Sequence, residues 1–231
     1  MTEAIEIRDL QFRWHRSAPL VLSIGSFHVS SGERVFLKGP SGSGKTTLLN
    51  ILGGVAQPQS GAVKVCGIEL SMVGQTARDR MRADQIGFIF QQFNLVPYLD
   101  LLENVMLPCR FSGRRRSQAI ASGGVEAEAV RLLTQLGLDV DAFEKRAVST
   151  LSVGQQQRVA AARALIGAPG LIIADEPTSA LDIEAGEAFL DLVLCEAKSK
   201  GAAVLFVSHD ARLESAFDRI VDLPRINQVL S

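Results

Sequence analysis

The run Gly39-Pro40-Ser41-Gly42-Ser43-Gly44-Lys45-Thr46 constrains this chain more than any other feature. It fits the pattern G-x-x-x-x-G-K-[ST], in which glycines let successive backbone N–H groups point into one concavity without side-chain obstruction. Such a nest of donors suits a polyphosphate. The flanks agree: Glu33 to Lys38 reads as a buried strand, and Lys45 to Leu52 reads as a helix stopped by Gly53-Gly54. Strand, glycine loop and helix in that order place a helix N-terminus, with its partial positive charge, at the anion site. The expected nucleotide contacts run from Gly39 through Pro40, Ser41, Gly42, Ser43, Gly44, Lys45 and Thr46 to Thr47. Lys45 is expected to reach the β- and γ-phosphates of a nucleoside triphosphate, and the Thr46 hydroxyl to ligate Mg²⁺.

Leu171-Ile-Ile-Ala174-Asp175-Glu176 is a short apolar run ending in two carboxylates. A buried parallel strand delivers acids to the carboxyl edge of a sheet in this way. Asp175 is expected on the Mg²⁺ side and Glu176 beside the γ-phosphate. A strand ending in an Asp that caps a following helix looks the same by itself, so the neighbouring segments matter. Upstream, Leu151-Ser152-Val153-Gly154-Gln155 precedes a stretch to Leu165 rich in alanine, leucine and arginine, which favours helix. Ser152 and Gly154 then open a helix whose first amides face an anion. Downstream, Ala203 to Ser208 reads as another buried strand, and His209 follows it at the same edge.

A chain of 231 residues can bury a full core as one α/β unit with room for a helical insertion. A formal net charge of −1 gives no reason to invoke nucleic acid. No apolar run reaches about 18 residues, and the acidic start Met1-Thr-Glu-Ala-Ile-Glu-Ile7 does not read as a signal peptide, so none is expected. Any membrane passage is expected to come from a partner. The scattered Cys66, Cys109 and Cys195 are read as reduced thiols acting as small buried hydrophobes.

Apolar and polar residues alternate around Ile5, Ile7, Leu10, Phe12 and Trp14, consistent with an antiparallel layer beside the glycine loop, and Pro58 to Gly61 reads as a turn before Ala62 to Cys66. From about 94 to 150 the pattern is helical. Asp100 and Glu103 have capping-box spacing, and an apolar stripe runs through Ala129, Val130, Leu132, Leu133 and Leu136. Gly113-Arg-Arg-Arg-Ser117 and Ala121-Ser-Gly-Gly124 read as loop-like interruptions, the arginines as a solvated turn.

Over nearly its whole length the sequence resembles the ATP-binding-cassette (ABC) family. The resemblance identifies Gly39 to Thr46 as the Walker A loop, Gln91 in Gly87-Phe-Ile-Phe-Gln91 as the Q-loop and Leu151 to Gln155 as the signature. It identifies Asp175 and Glu176 as the Walker B pair, Ser179-Ala-Leu-Asp182 as the D-loop and His209 as the switch histidine. Val153 stands where the family usually has glycine, at the variable position of the signature. The resemblance implies a P-loop NTPase α/β core, mainly parallel sheet with flanking helices, in residues 1–93 and 151–231. An antiparallel β layer and an inserted α-helical subdomain, residues 94–150, complete a single nucleotide-binding domain.

The resemblance also implies roles. ATP and Mg²⁺ are the expected ligands. Glu176 is the expected general base, with His209, Gln91 and Lys45 as the other catalytic residues, and Thr46, Gln91 and Asp175 as the metal ligands. Ser152, Gly154 and Gln155 are expected to meet the γ-phosphate held by a second copy, making the protein a homodimer, and Asp182 to link the two sites. An aromatic residue should stack on adenine; Trp14 fits by alignment and Phe12 is the other candidate. Ile86 to Gln91, Glu103 to Pro108 and Ala174 to Thr178 look like the group that serves macrolide-exporter, lipoprotein-release and cell-division permeases. Ser179-Ala-Leu-Asp182 instead looks like amino-acid importers. The expected partner is an integral membrane permease with an FtsX-like domain, and the expected location is the cytoplasmic face of the cell membrane, as a peripheral subunit. An importer ATPase or a non-pumping regulatory ATPase remains an alternative.

Overall fold

The structure, a computed structural model, describes residues 2–143 and 146–229. Strands β1 (Glu3–Phe12), β2 (Leu22–Ser30) and β3 (Arg34–Lys38) lead into helix α1 (Lys45–Leu52). Strands β4 (Ser60–Val65) and β5 (Ile68–Glu69), helix α2 (Gln75–Gln85) and strand β6 (Ile86–Ile89) follow. Next come α3 (Leu101–Phe111), α4 (Gly113–Ala121), α5 (Val125–Gln135) and α6 (Val153–Leu165). The chain then runs through β7 (Leu171–Asp175), α7 (Ile183–Ser199), β8 (Ala203–Val207), β9 (Arg219–Asp222) and α8 (Leu223–Ile226).

Two sheets organise these elements. One is antiparallel, in the order β2-β1-β4-β5, and the other has five strands in the order β6-β7-β8-β3-β9. Every pairing in the second sheet is parallel. Its central strands β7, β8 and β3 are apolar on both faces, as a covered parallel sheet requires. Alternation sorts the side chains: Val35, Leu37, Leu205 and Val207 face the antiparallel layer and α1, while Phe36, Val204 and Phe206 face the core shared with α3, α5, α6 and α7. Each fully buried Leu, Ile or Phe contributes about 1.5–3 kcal/mol, and both faces of the sheet are lined with them. All the parallel strands therefore end at one edge, which collects the loops after β3, β6, β7 and β8.

The helices from α3 to α5 lie between β6 and α6. Asp100 caps α3, with both hydrogen bonds of the capping box present. The stripe of α5 is buried at Ala129, Leu132 and Leu133, with Leu136 buried just beyond and Val130 half-buried. Two sequence expectations are corrected. Gly113 to Ser117 is not a solvated turn but the start of α4, capped by the Ser112 hydroxyl, which accepts from the Arg115 N–H. Arg115 is 1% exposed and donates to the carbonyls of Ile86 and Ile166. Its burial lowers the guanidinium's basicity to a pKa of about 10. A count of arginines cannot reveal backbone acceptors supplied by other elements. Among the cysteines, Cys109 is buried and Cys66 half-buried, but Cys195 is exposed, on the outer side of α7.

Glu128 of α5 and Glu196 of α7, each 2% exposed, share Arg131 as a common partner. Burial alone would raise the Glu128 carboxyl, but the hydrogen bonds and charges of Arg131 and Lys200 outweigh it, and its pKa falls below 4.5. A depressed folded pKa makes this contribution fully present above the unfolded value, and it is lost as pH falls through the folded one. Arg131→Leu leaves the buried Glu196 without this partner and Glu128 with Lys200 alone, at 3.3 Å. Its expected cost is about 3 kcal/mol at pH 7, at the low end for a broken buried pair because the guanidinium is partly exposed. Urea unfolding checks this, and the difference from the unaltered protein should shrink as the buffer is taken below about pH 4.

Candidate functional site

Between β3 and α1 the backbone turns through Gly42 at φ +80° and Gly44 at φ +99°, conformations open to glycine. Space is equally restrictive: a Cβ on Gly44 would stand 2.7 Å from Leu22 Cδ2, and one on Gly39 2.8 Å from Ser43 Oγ. Gly44 is the N-cap of α1 and provides no side-chain cap, so the helix's leading N–H groups are left for another acceptor. Lys45 Nζ donates to the carbonyls of Gly39 and Pro40, at 2.7 and 3.1 Å, which holds the ammonium over the loop. Ser43 Oγ is buried without a hydrogen-bond partner. Donor amides, a cation and an orphaned hydroxyl on one loop fit the phosphates of a nucleotide.

The facing wall comes from the ends of β6, β7 and β8. Glu176 adopts φ +45°, anchored by its N–H to the Val207 carbonyl at 2.9 Å, and its own carbonyl accepts from Ser179 N–H. A left-handed glutamate costs about 1–3 kcal/mol and persists only where its surroundings fix it. Asp175 lies one residue back. Burial, then the neighbouring Glu176 charge, push its carboxyl above the usual range, and Lys45 pulls the other way. His209 Nδ1 is 3.5 Å from Glu176 Oε2. Lys45, Thr46, Gln91, Asp175, Glu176 and His209 line one open cleft of about 600 Å³, together with the glycine loop and Val21. Thr46, Gln91 and Asp175 offer only oxygen donors, a hard set that fits Mg²⁺ held by few protein ligands.

Other sequence-predicted residues stand apart from that cleft. Ser152 caps α6, where its hydroxyl accepts from Gln155 N–H at 3.3 Å and the Gln155 side chain accepts from Ser152 N–H at 2.9 Å. Ser152 is exposed, and Gly154 lies near Leu181 of the segment leading to α7. Asp182 caps α7 through Ala185 N–H at 2.8 Å and lines a smaller cavity that shares Glu176 and His209 with the cleft. Phe12 is 3% exposed within the antiparallel layer, whereas Trp14 is 52% exposed and meets it edge-on at 5.0 Å.

Three further residues tie the site together and carry no sequence signal. Asn227, fully buried, donates to the carbonyls of Val21 and Ser43 and accepts from Ser23 N–H. Gln157 of α6 donates to the Pro177 carbonyl behind Glu176. Arg163 of the same helix donates to the carbonyls of Phe93 and Asn94 behind Gln91.

Comparison with known proteins agrees with this fold. The sequence profile of the ABC transporter family matches residues 22–179. The lipoprotein-releasing system ATP-binding protein LolD of Anaeromyxobacter dehalogenans is 43% identical over 195 residues, covering 84% of this chain and 79% of that one. The macrolide export ATP-binding/permease protein MacB of Mannheimia succiniciproducens is 38% identical over 221 residues, covering 95% of this chain. The chain spans 33% of that relative's length. Among solved structures, the dimeric post-hydrolysis state of the ATP-binding cassette MJ0796 bound to ADP and Pi aligns with a TM-score of 0.80 at 34% identity, covering 94% of this chain and 93% of that one. MJ0796 is a protein of Methanocaldococcus jannaschii.

Gly44→Ala tests the loop. The substitution forces a Cβ into Leu22 at a left-handed φ. It is expected to weaken ATP binding by at least about tenfold, a loss of roughly 1.4 kcal/mol, as read by calorimetric titration. Binding at the unaltered affinity would mean that the loop does not hold the phosphates.

Proposed function

The chain belongs to the ABC transporter family of ATP-binding proteins, and on that premise we propose that it hydrolyses ATP at a site completed by a second copy and thereby powers a membrane permease. The cleft that gathers Lys45, Thr46, Gln91, Asp175, Glu176 and His209 carries this reading. ATP binding is the common property of the family; the assignment of individual residues to steps is our proposal.

In that step Glu176 accepts a proton from the attacking water as the water's oxygen bonds to the γ-phosphorus and the bond to ADP breaks. His209, within 3.5 Å of the Glu176 carboxylate, orients the water and holds the γ-phosphate. The N–H groups of Gly42, Gly44, Lys45, Thr46 and Thr47 and the Lys45 ammonium bind the β- and γ-phosphates. Bound by Thr46, Asp175 and Gln91, Mg²⁺ would supply charge neutralisation on the phosphates. Trp14, exposed where Phe12 is buried, stacks on adenine. Because positioning and charge stabilisation dominate phosphoryl transfer, the loop matters as much as the base.

The dimer follows from what the cleft lacks. Ser152, Gly154 and Gln155 are outside its lining, so within one copy the signature has no phosphate to meet. A head-to-tail pair seats it on the γ-phosphate of the partner's nucleotide, with Asp182 between the two sites. The relative MJ0796 is dimeric with ADP and Pi bound, which supports this arrangement. ATP then favours the closed pair and hydrolysis releases it. No helix among the described residues is long and apolar enough to cross a membrane. Similarity to LolD and MacB supports a partner of the exporter or lipoprotein-release type. We assign it an integral permease with an FtsX-like domain, bound from the cytoplasmic side near Asn94 to Tyr98, where Tyr98 is 80% exposed.

Glu176→Gln removes the proton acceptor and spares the phosphate contacts. Its kcat is expected to fall by about 10²–10⁴ while ATP and Mg²⁺ drive it to a dimer in size-exclusion chromatography. A monomer turning over at the unaltered rate would sink the assignment.

A mixture tests the shared site. Ser152→Arg and Lys45→Ala subunits are each expected to be inactive alone. Together they form heterodimers with one doubly damaged site and one intact site, so hydrolysis should partly return. An inactive mixture in which heterodimers are demonstrably present would argue against composite sites.

A further inference from the structure

Helix α6 begins at the exposed Ser152 and ends beside the turn that carries Gln91. In its last turn Arg163 donates Nη1 to the Asn94 carbonyl at 2.7 Å and Nη2 to the Phe93 carbonyl at 2.6 Å. Both acceptors belong to left-handed residues, Phe93 at φ +58° and Asn94 at φ +49°. Asparagine tolerates this region, but for a bulky side chain it is an outlier. Phe93 is half-buried and belongs to neither apolar core, so packing of its ring does not explain the conformation. What fixes the turn is hydrogen bonding. Phe93 N–H donates to the Phe90 carbonyl at 3.0 Å, Asn94 N–H donates to the Gln92 carbonyl at 2.6 Å, and the guanidinium takes both outward carbonyls. Burial lowers the basicity of Arg163. A planar guanidinium can bridge two fixed carbonyls at once, whereas an ammonium acts as a single point charge.

We propose that Arg163 is a positioning residue for Gln91: by pinning the Phe93 and Asn94 carbonyls it fixes the backbone that directs Gln91 into the nucleotide cleft. The inference rests on the reading of Gln91 as a ligand and catalytic residue. It adds a mechanical link, because the helix that carries Arg163 opens at Ser152, and a shift of α6 at either end is felt at the other.

The test is a double-substitution cycle on the full chain, measuring kcat and KM for ATP in the unaltered protein, Gln91→Ala, Arg163→Ala and the double variant. Misplacing a catalytic group without removing it is expected to lower kcat on the order of ten- to a hundredfold, with KM changed by less than about twofold because phosphate binding stays with the Lys45 loop. The double variant should be no slower than the slower single one, since without Gln91 there is nothing for Arg163 to position. Losses that multiply would overturn the inference while leaving Gln91 in its role. A Gln91→Ala variant with unaltered kcat would overturn the reading of Gln91 and this inference with it. Should Arg163→Ala fail to fold, Arg163→Lys carries the same cycle: an intermediate kcat at an unaltered melting temperature supports positioning, and an unaltered kcat overturns it.

Discussion

Everything functional in this molecule depends on backbone N–H groups that the fold leaves unpaired at the start of α1. A helix N-terminus normally satisfies them with a side-chain cap, as Ser152 does for α6 and Asp182 for α7. At α1 the cap is Gly44, without a side chain, in a conformation suited to glycine. The fold tolerates the deficit because the loop sits at the open edge of the sheet. The deficit leaves donors free for an anion.

The parallel sheet makes that edge useful. Strand order β6-β7-β8-β3 sets the ends of four strands side by side, so residues far apart in the chain reach one cleft. Local cost accompanies this convergence. Glu176 is held left-handed by the Val207 carbonyl, and Asp175 is raised by burial and by Glu176. Both are unfavourable for the isolated fold and suit the proposed roles of binding a cation and orienting a water. A cation bound there would relieve the repulsion between the two carboxylates.

Helix α6 connects this edge to the exposed signature. Its N-terminus carries a capping box, its middle holds Pro177 through Gln157, and its last turn holds Phe93 and Asn94 through Arg163. One rigid element thus supports the backbone behind both Glu176 and Gln91. In the two-copy arrangement proposed above, such a part would let contact made by one subunit register at the chemistry of the other.

The sequence alone determined the strands and helices that bear the motifs, because their signals are local: apolar runs, glycines, caps. The helix Lys45–Leu52 and the capping box of Asp100 and Glu103 were legible residue by residue. The ABC family and its order of motifs were legible as well. What tertiary structure decided was where polar side chains find partners. Arg115 looked like part of a solvated run and is buried against carbonyls from β6 and from the end of α6. Cys195 looked like a core thiol and is exposed. Phe12 and Trp14 alternate identically in the sequence, and only packing buries the first and leaves the second open. Asn227 meets Val21 across a separation of 206 residues, and Arg163 meets Asn94 across 69. Those contacts join side chains to backbone carbonyls, which every residue type presents alike, so the acceptor leaves no mark in the sequence and only the folded chain supplies it.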